Sequence, residues 1–191
     1  MKQITTAIVI GLWHHMEKSY NSNHTSKSDS GMMRMIGRFL NAMGILDKKT
    51  FLKNYTTTIG SVIYVPFQIG VASTRYPLFN QLTTCVHEHQ HVVQWRRGGL
   101  SFMLEYLTDS SRRAAYEVDA MHSSLEIHWW YSRRLPDISK MSLQLNDYNC
   151  KKDDIVMAEK MLRSISKAVV RGAISTSAGK TAIKYLQEHG V

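Results

Sequence analysis

The sequence predicts an α+β fold, mainly helical, with short strands placed just before a central helix. Three observations carry this. From Gln81 to Arg97 there is no Gly or Pro. Within that stretch Leu82, Val86 and Val93, with Cys85 and Val92 beside them, recur at three, four and seven residues, the repeat of a helix with one buried face. Ahead of it, Thr56-Thr57-Thr58-Ile59 and Val62-Ile63-Tyr64-Val65 are β-branched and aromatic and are split by Gly60-Ser61, which predicts one or two strands. Behind it, Ile155, Ala158, Met161, Leu162, Ile165, Ala168 and Val169 form a second helical stripe. A chain of 191 residues, 43% hydrophobic, is long enough for one domain with a real core, or one domain with a small appendage.

The elements follow in order. Lys2 followed by Ile4 to Trp13 has the outline of a short signal peptide or amphipathic anchor, but a bilayer span takes about 20 apolar residues. No small-x-small cleavage site follows; His14-His15-Met16-Glu17 comes instead. Ile4, Ile8, Leu12 and His15 fit one helical stripe, which favours packing onto the domain. Tyr20 to Ser30 is polar and reads as a linker or exposed loop. Ser28-Asp29-Ser30 then caps a helix through Asn41, with Met32, Met35, Ile36, Phe39, Leu40 and Met43 as an adaptable apolar side. Tyr76-Pro77 starts the central helix and Gly98-Gly99 stops it. Asp109 or Ser110 caps the next helix, which Arg133-Arg134 close just before Pro136. Asp153-Asp154 open the C-terminal stripe, Gly172 ends it, and Thr181 to Glu188 is a last short helix. The expected organisation is an N-terminal segment and linker (1–30), a core (31–134), and a helical part packed on it (135–191).

The chemistry lies in His87-Glu88-His89-Gln90-His91, a His-Glu-x-x-His motif. Residues four apart on a helix lie on one face, so His87 and His91 can aim two imidazole nitrogens at one metal ion. Glu88 projects beside them, where it can act as base on a water polarised by the metal. On a strand, His87, His89 and His91 would instead share a face and form a three-histidine site. The helical flanks decide against that, and put His89 off the ligand face as a solvent-facing or supporting residue. A catalytic zinc site needs a third protein ligand. The best candidate is Glu117, in a predicted helix where Ala114, Ala115 and Ala120 allow close approach. Glu105, Asp109, His122 and His128 are weaker candidates.

With these residues the chain resembles the zincin metallopeptidases of the gluzincin type. It is most similar to small bacterial and phage proteins with His-Glu-x-x-His-Val-x-Gln and a later Tyr-Glu-x-x-Ala segment. Here these are His87 to His91, Val92, Gln94, then Tyr116, Glu117 and Ala120. The resemblance covers about residues 55–130. It implies a small antiparallel sheet before the motif helix, with an edge strand that holds an extended substrate. Where many gluzincins carry an Asp that orients a histidine, this chain has Met121; Asp119 is nearby but assigned to another helix face, so the orienting group stays open. The metzincin pattern fails, because the position for its third histidine is Arg97.

The remaining features bound the function. Cys85 and Cys150 form neither a Cys-x-x-Cys site nor a disulfide framework. The net charge is +9, yet residues 61–134 carry 7 basic and 6 acidic side chains, so the excess lies at the two ends, away from the motif. An anionic partner is compatible with that charge, while nucleic acid is disfavoured because no basic cluster or motif supports it. Ala178-Gly179-Lys180-Thr181 is not a phosphate loop: its first glycine position is Ile174. The expectation is a zinc metallopeptidase holding one Zn2+ per chain through His87, His91 and Glu117, with Glu88 as catalytic base and a peptide or protein as substrate. Tyr106, Tyr116, His122 and His128 are candidate oxyanion donors. The alternative is a non-catalytic zincin-like protein, phage-encoded by resemblance, that binds a protein or anionic polymer. No transmembrane segment is expected; a cytoplasmic or phage-associated location is favoured, with export left open by the N-terminal segment.

Overall fold

The computed structural model describes residues 3–27, 30–31 and 56–191. The predicted methionine-rich helix therefore lies outside the described residues. Helix α1 (Thr6–Tyr20) starts at Thr5, whose side chain accepts from the Ile8 N–H, and ends at Asn21 in the left-handed region. Its fully buried residues are Val9, Leu12, Trp13 and Met16. The buried stripe is thus rotated from the expected Ile4, Ile8, Leu12, His15 series, because α1 is covered on two sides, by the central helix and by the C-terminal one. The stretch read as a linker holds strand β1 (Asn23–Ser26).

Strands β2 (Thr57–Ile59) and β3 (Val62–Val65) complete a three-stranded sheet of order β1-β3-β2. Ile59 pairs with Val62, so Gly60-Ser61 is a two-residue turn, and Gly60 takes a φ of 64° that a side chain would resist. The sheet is mixed, not antiparallel: β2 runs antiparallel to β3, but β1 runs parallel to it. A parallel pair needs a long crossover, which the chain between Ser26 and Thr57 supplies.

Helix α2 (Leu78–Thr108) begins after Pro77 and bends at Gly99, whose φ and ψ of 52° and −131° are non-helical. The expected glycine stop is therefore a kink, after which the helix resumes. Helix α3 (Ser110–Ser132) is capped by Asp109, which accepts from the Ser111 and Arg112 N–H groups, and ends at Arg133 with φ 55°. Short α4 (Ile138–Leu143), α5 (Lys152–Val170) and α6 (Ser177–Glu188) follow.

Two apolar clusters organise the molecule. The first joins α1, β3, the first half of α2, Ile127 of α3 and α6. The second joins Ala114, Val118, Met121 and Leu125 of α3 to Leu145 and to Ile155, Ala158, Leu162 and Val169 of α5. The C-terminal part thus divides between them, α5 on α3 and α6 on α1 and α2. Helix α3 folds back along α2 with both clusters anchoring it, and this fixes where Glu117 lies. No helix among the described residues is long and apolar enough to cross a membrane.

Candidate metal centre

His87 and His91 stand one turn apart on α2, and Glu117 of α3 faces both. Glu117 Oε2 lies 3.5 Å from His87 Nε2, and Glu117 Oε1 lies 3.5 Å from His91 Nε2. One ligand atom from each of the three residues lies within 4.8 Å of the others, so this group could hold a metal ion. Two ligands of a tetrahedral zinc, each about 2.0–2.1 Å from it, stand about 3.3–3.4 Å apart. The observed imidazole–carboxylate separations are close to that and long for hydrogen bonds.

The electrostatics call for a cation. Glu117 is fully buried, and its Oε2 has no hydrogen-bond partner. Burial alone would raise the Glu117 pKa, but the His91 and His87 rings beside it hold the carboxyl well below its usual range. Burial would likewise lower His91, yet the Glu117 carboxylate overrides it and pushes the imidazole up to about 9. A buried carboxylate with one orphaned oxygen, facing two imidazole nitrogens, is stabilised by a positive charge at their centre. Two imidazoles and a carboxylate are a donor set that suits zinc.

The group that orients His91 is Gln94, three residues on. Gln94 Nε2 donates to the Tyr116 carbonyl at 2.9 Å and to Asp119 Oδ2 at 2.8 Å. That fixes Gln94 Oε1 as the acceptor for His91 Nδ1 at 2.8 Å. In the neutral ring that a metal requires, the His91 proton therefore sits on Nδ1, which leaves Nε2, the nitrogen on the Glu117 side, as the ligand atom. Gln90 Nε2 also donates to Asp119 Oδ2, at 2.8 Å. Asp119 thus supports the site, against the expectation that its helix face would keep it away: Gln90 and Gln94, four apart on α2, span the gap with long side chains. Met121 is buried in the second apolar cluster.

Glu88 does not join the ligands. Its Oε2 accepts from the Thr58 hydroxyl at 2.6 Å, while its charge is felt at His91 and Tyr106. His89 points off the ligand face, as its helical position requires, but it is neither solvent-facing nor a support to the ligands. It is fully buried, its Nδ1–H donates to the Cys85 carbonyl at 2.7 Å, and its ring packs edge-on to Trp13. The solvent expectation fails because α1 covers that side of α2. Burial lowers the His89 pKa to about 4, so the ring is neutral.

Of the four candidate oxyanion donors, Tyr106 is the one at the centre. Its hydroxyl donates to Glu117 Oε1 at 2.5 Å, and burial followed by the Glu117 charge raises its pKa well above 10. The Tyr116 hydroxyl donates to Glu105 Oε2, and the His128 ring packs on Phe79. His122 lies in a separate polar cleft lined by Gln90, Arg97, Asp119 and Ser175 to Ser177. There Ser175 Oγ and Glu126 Oε1 approach the same nitrogen of His122, at 3.2 and 3.3 Å. A nucleophile relay needs them on opposite nitrogens. Glu126 instead accepts the Ser175 and Thr176 N–H groups and anchors the start of α6. Glu105 and Asp109 take no part in the metal group.

The sequence reading missed Thr58 and Glu126 and gave Gln94 no role, though Gln94 stood in the quoted motif. No protein-family model, curated protein or solved structure matches the chain at a significant level.

Proposed function

We propose that this protein is a zinc-dependent metallopeptidase of the gluzincin type, with a peptide or protein as substrate. The observation that carries the reading is the convergence of His87, His91 and a buried Glu117 on one point, with Glu88 held beside them and not among them. A bound zinc supplies Lewis acidity, polarising a carbonyl and lowering the pKa of a coordinated water to about 7. The chain's own residues do the rest. The Glu88 carboxylate takes the proton from the attacking water and returns it to the leaving amine. The Tyr106 hydroxyl is placed to turn from Glu117 Oε1 toward negative charge developing on the carbonyl oxygen. Strand β2, at an edge of the described sheet and in contact with α2, offers main-chain groups to an extended peptide.

The test is a metal analysis joined to a broad peptide-cleavage profile, read on wild type and Glu88→Gln. The variant keeps its zinc and its fold, and loses about 10²–10⁴-fold in turnover, the usual contribution of a positioned base. Equal turnover in both proteins overturns the mechanism. Zinc-loaded wild type that cleaves no peptide favours a binding role for the same scaffold.

A further inference from the structure

We infer that Thr58 is a positioning residue for catalysis, holding the Glu88 carboxylate in place through its hydroxyl; this rests on the peptidase reading. Glu88 follows a ligand directly, but a glutamate reaches its carboxylate through a flexible side chain. Among the described residues, the helix that carries it offers that carboxylate no hydrogen bond. Its hydrogen bond comes from another element: Thr58 Oγ1 donates to Oε2 at 2.6 Å, a short, charge-assisted bond. One oxygen is thus held by the donor on β2; on the peptidase reading the other takes the proton of the water.

The donor itself is fixed. Thr58 is the middle residue of β2, paired with fully buried Ile63 of β3. As a β-branched residue on a strand it has few side-chain conformations. Its neighbour Thr57 points to the opposite face of the sheet. There the Thr57 hydroxyl accepts from the Nζ of buried Lys27, at 2.6 Å. Lys27 also extends the β1–β3 ladder, its N–H donating to the Val65 carbonyl at 2.8 Å. Strand β2 is therefore tied to the sheet from the face away from Glu88 and presents its hydroxyl to Glu88 on the other. Such an arrangement keeps a carboxylate within the small positional tolerance that proton transfer demands. A bond that served only to fasten β2 to α2 would affect stability and leave turnover alone.

The experiment uses the full chain loaded with zinc, a quenched fluorescent peptide library to find a cleaved sequence, and Thr58→Val, Thr58→Ala and Thr58→Ser. Val and Ala remove the hydroxyl, and Ala serves if Val fails to fold. Both are expected to keep wild-type zinc stoichiometry and KM while kcat falls about 10–100-fold, the effect of displacing a catalytic group by about 1 Å. Ser restores the hydroxyl and most of the rate. Unchanged kcat in Val or Ala overturns the proposal, and so does Ser as slow as Val. A second readout needs no substrate: the urea midpoint of the metal-loaded protein in a cycle with Glu88→Ala. Removing the Thr58 hydroxyl lowers the midpoint in the wild-type background and not in the Glu88→Ala background. Equal losses in both backgrounds overturn it. Wild type that hydrolyses nothing ends the peptidase reading, while this cycle still decides whether Thr58 holds Glu88.

Discussion

Replacing Gln94 with Leu should weaken zinc binding without touching a ligand. Gln94 is buried, and leucine matches its size, so the fold has no large void to absorb. Three hydrogen bonds go: the Tyr116 carbonyl and Asp119 Oδ2 each lose a donor whether or not the metal is bound, and His91 Nδ1 gives up its acceptor at 2.8 Å, which is the loss that bears on the metal. In the metal-loaded variant that N–H stays buried and unpaired, since turning the ring to find a partner would withdraw Nε2 from the site. An unsatisfied buried donor costs about 1–3 kcal/mol, a factor of about 5–150 in an equilibrium constant. Outer partners of metal-bound histidines are worth about 10–100-fold in affinity, which falls inside that range. Gln94→Glu should not rescue. It restores an acceptor for His91 but sets a second carboxylate against Asp119 Oδ2, to which Gln94 Nε2 now donates at 2.8 Å. The assay is competition with a chromophoric chelator at fixed pH and salt, with His91→Ala as the control that loses the metal. Zinc affinity in Gln94→Leu within about 3-fold of wild type, below the lower end of that expectation, refutes the orienting role.

The fold class was legible because it rests on periodicity, which tertiary contacts do not override over long segments. Helices α2 and α5 were visible as stripes bounded by Pro77, Asp153-Asp154 and Gly172, and α3 from its cap at Asp109 and its basic end at Arg133-Arg134. Strand β1 was not. Asn23-His24-Thr25-Ser26 carries no apolar alternation, and it is a strand because β3 offers it a parallel edge. The Gly98-Gly99 pair has the sequence of a stop; nothing in that pair says that the chain resumes a helix beyond the bend. The helical stripe of α1 was rotated because a helix covered on two sides has no single buried face to read.

For the site, the ligands were legible because helical spacing and ligand chemistry are local properties. The three predicted ligands do meet, and that meeting depends on α3 folding back, which the Gly98-Gly99 turn and the alanines around Glu117 suggested. What supports them was not legible. Gln94, Asp119 and Thr58 act across elements, from α2 to α3 and from β2 to α2, and no single-chain period encodes a contact of that kind. His89 failed for the same reason: its face was right, but what covers that face comes from α1, far away in sequence.

Three further outcomes are expected. Glu117→Ala should bind zinc orders of magnitude more weakly, and chelation should lower the Tm of wild type more than that of the variant, because a ligand bound only to the folded state adds RT ln(1 + [L]/Kd) to stability. His89→Ala should keep wild-type zinc stoichiometry but lose about 2–4 kcal/mol in urea unfolding, since it opens a cavity beside Trp13 and leaves the Cys85 carbonyl without that donor; loss of metal would instead revive the three-histidine reading. Lys27→Met should stabilise the protein by an amount that depends on pH. Burial lowers the Lys27 pKa from 10.5 to about 7, with the Glu88 charge offsetting part of the shift. A lysine depressed in the folded state imposes no penalty above pH 10.5, where it is neutral in both states. As pH falls toward 7 the unfolded chain takes up the proton and the folded one does not, so wild-type stability drops; below about 7 both are protonated and the penalty is constant. Methionine fills similar space and has no proton to exchange, so the pH dependence of the gap is that of Lys27, its contact with Thr57 included. The stability gap between Lys27→Met and wild type should therefore shrink by about 3 kcal/mol from pH 7 to pH 9.5, read by urea unfolding at each pH, with the titration of every other group cancelling in the difference. A gap that stays constant over that range would mean that Lys27 remains charged in the fold, held by partners strong enough to cancel its burial.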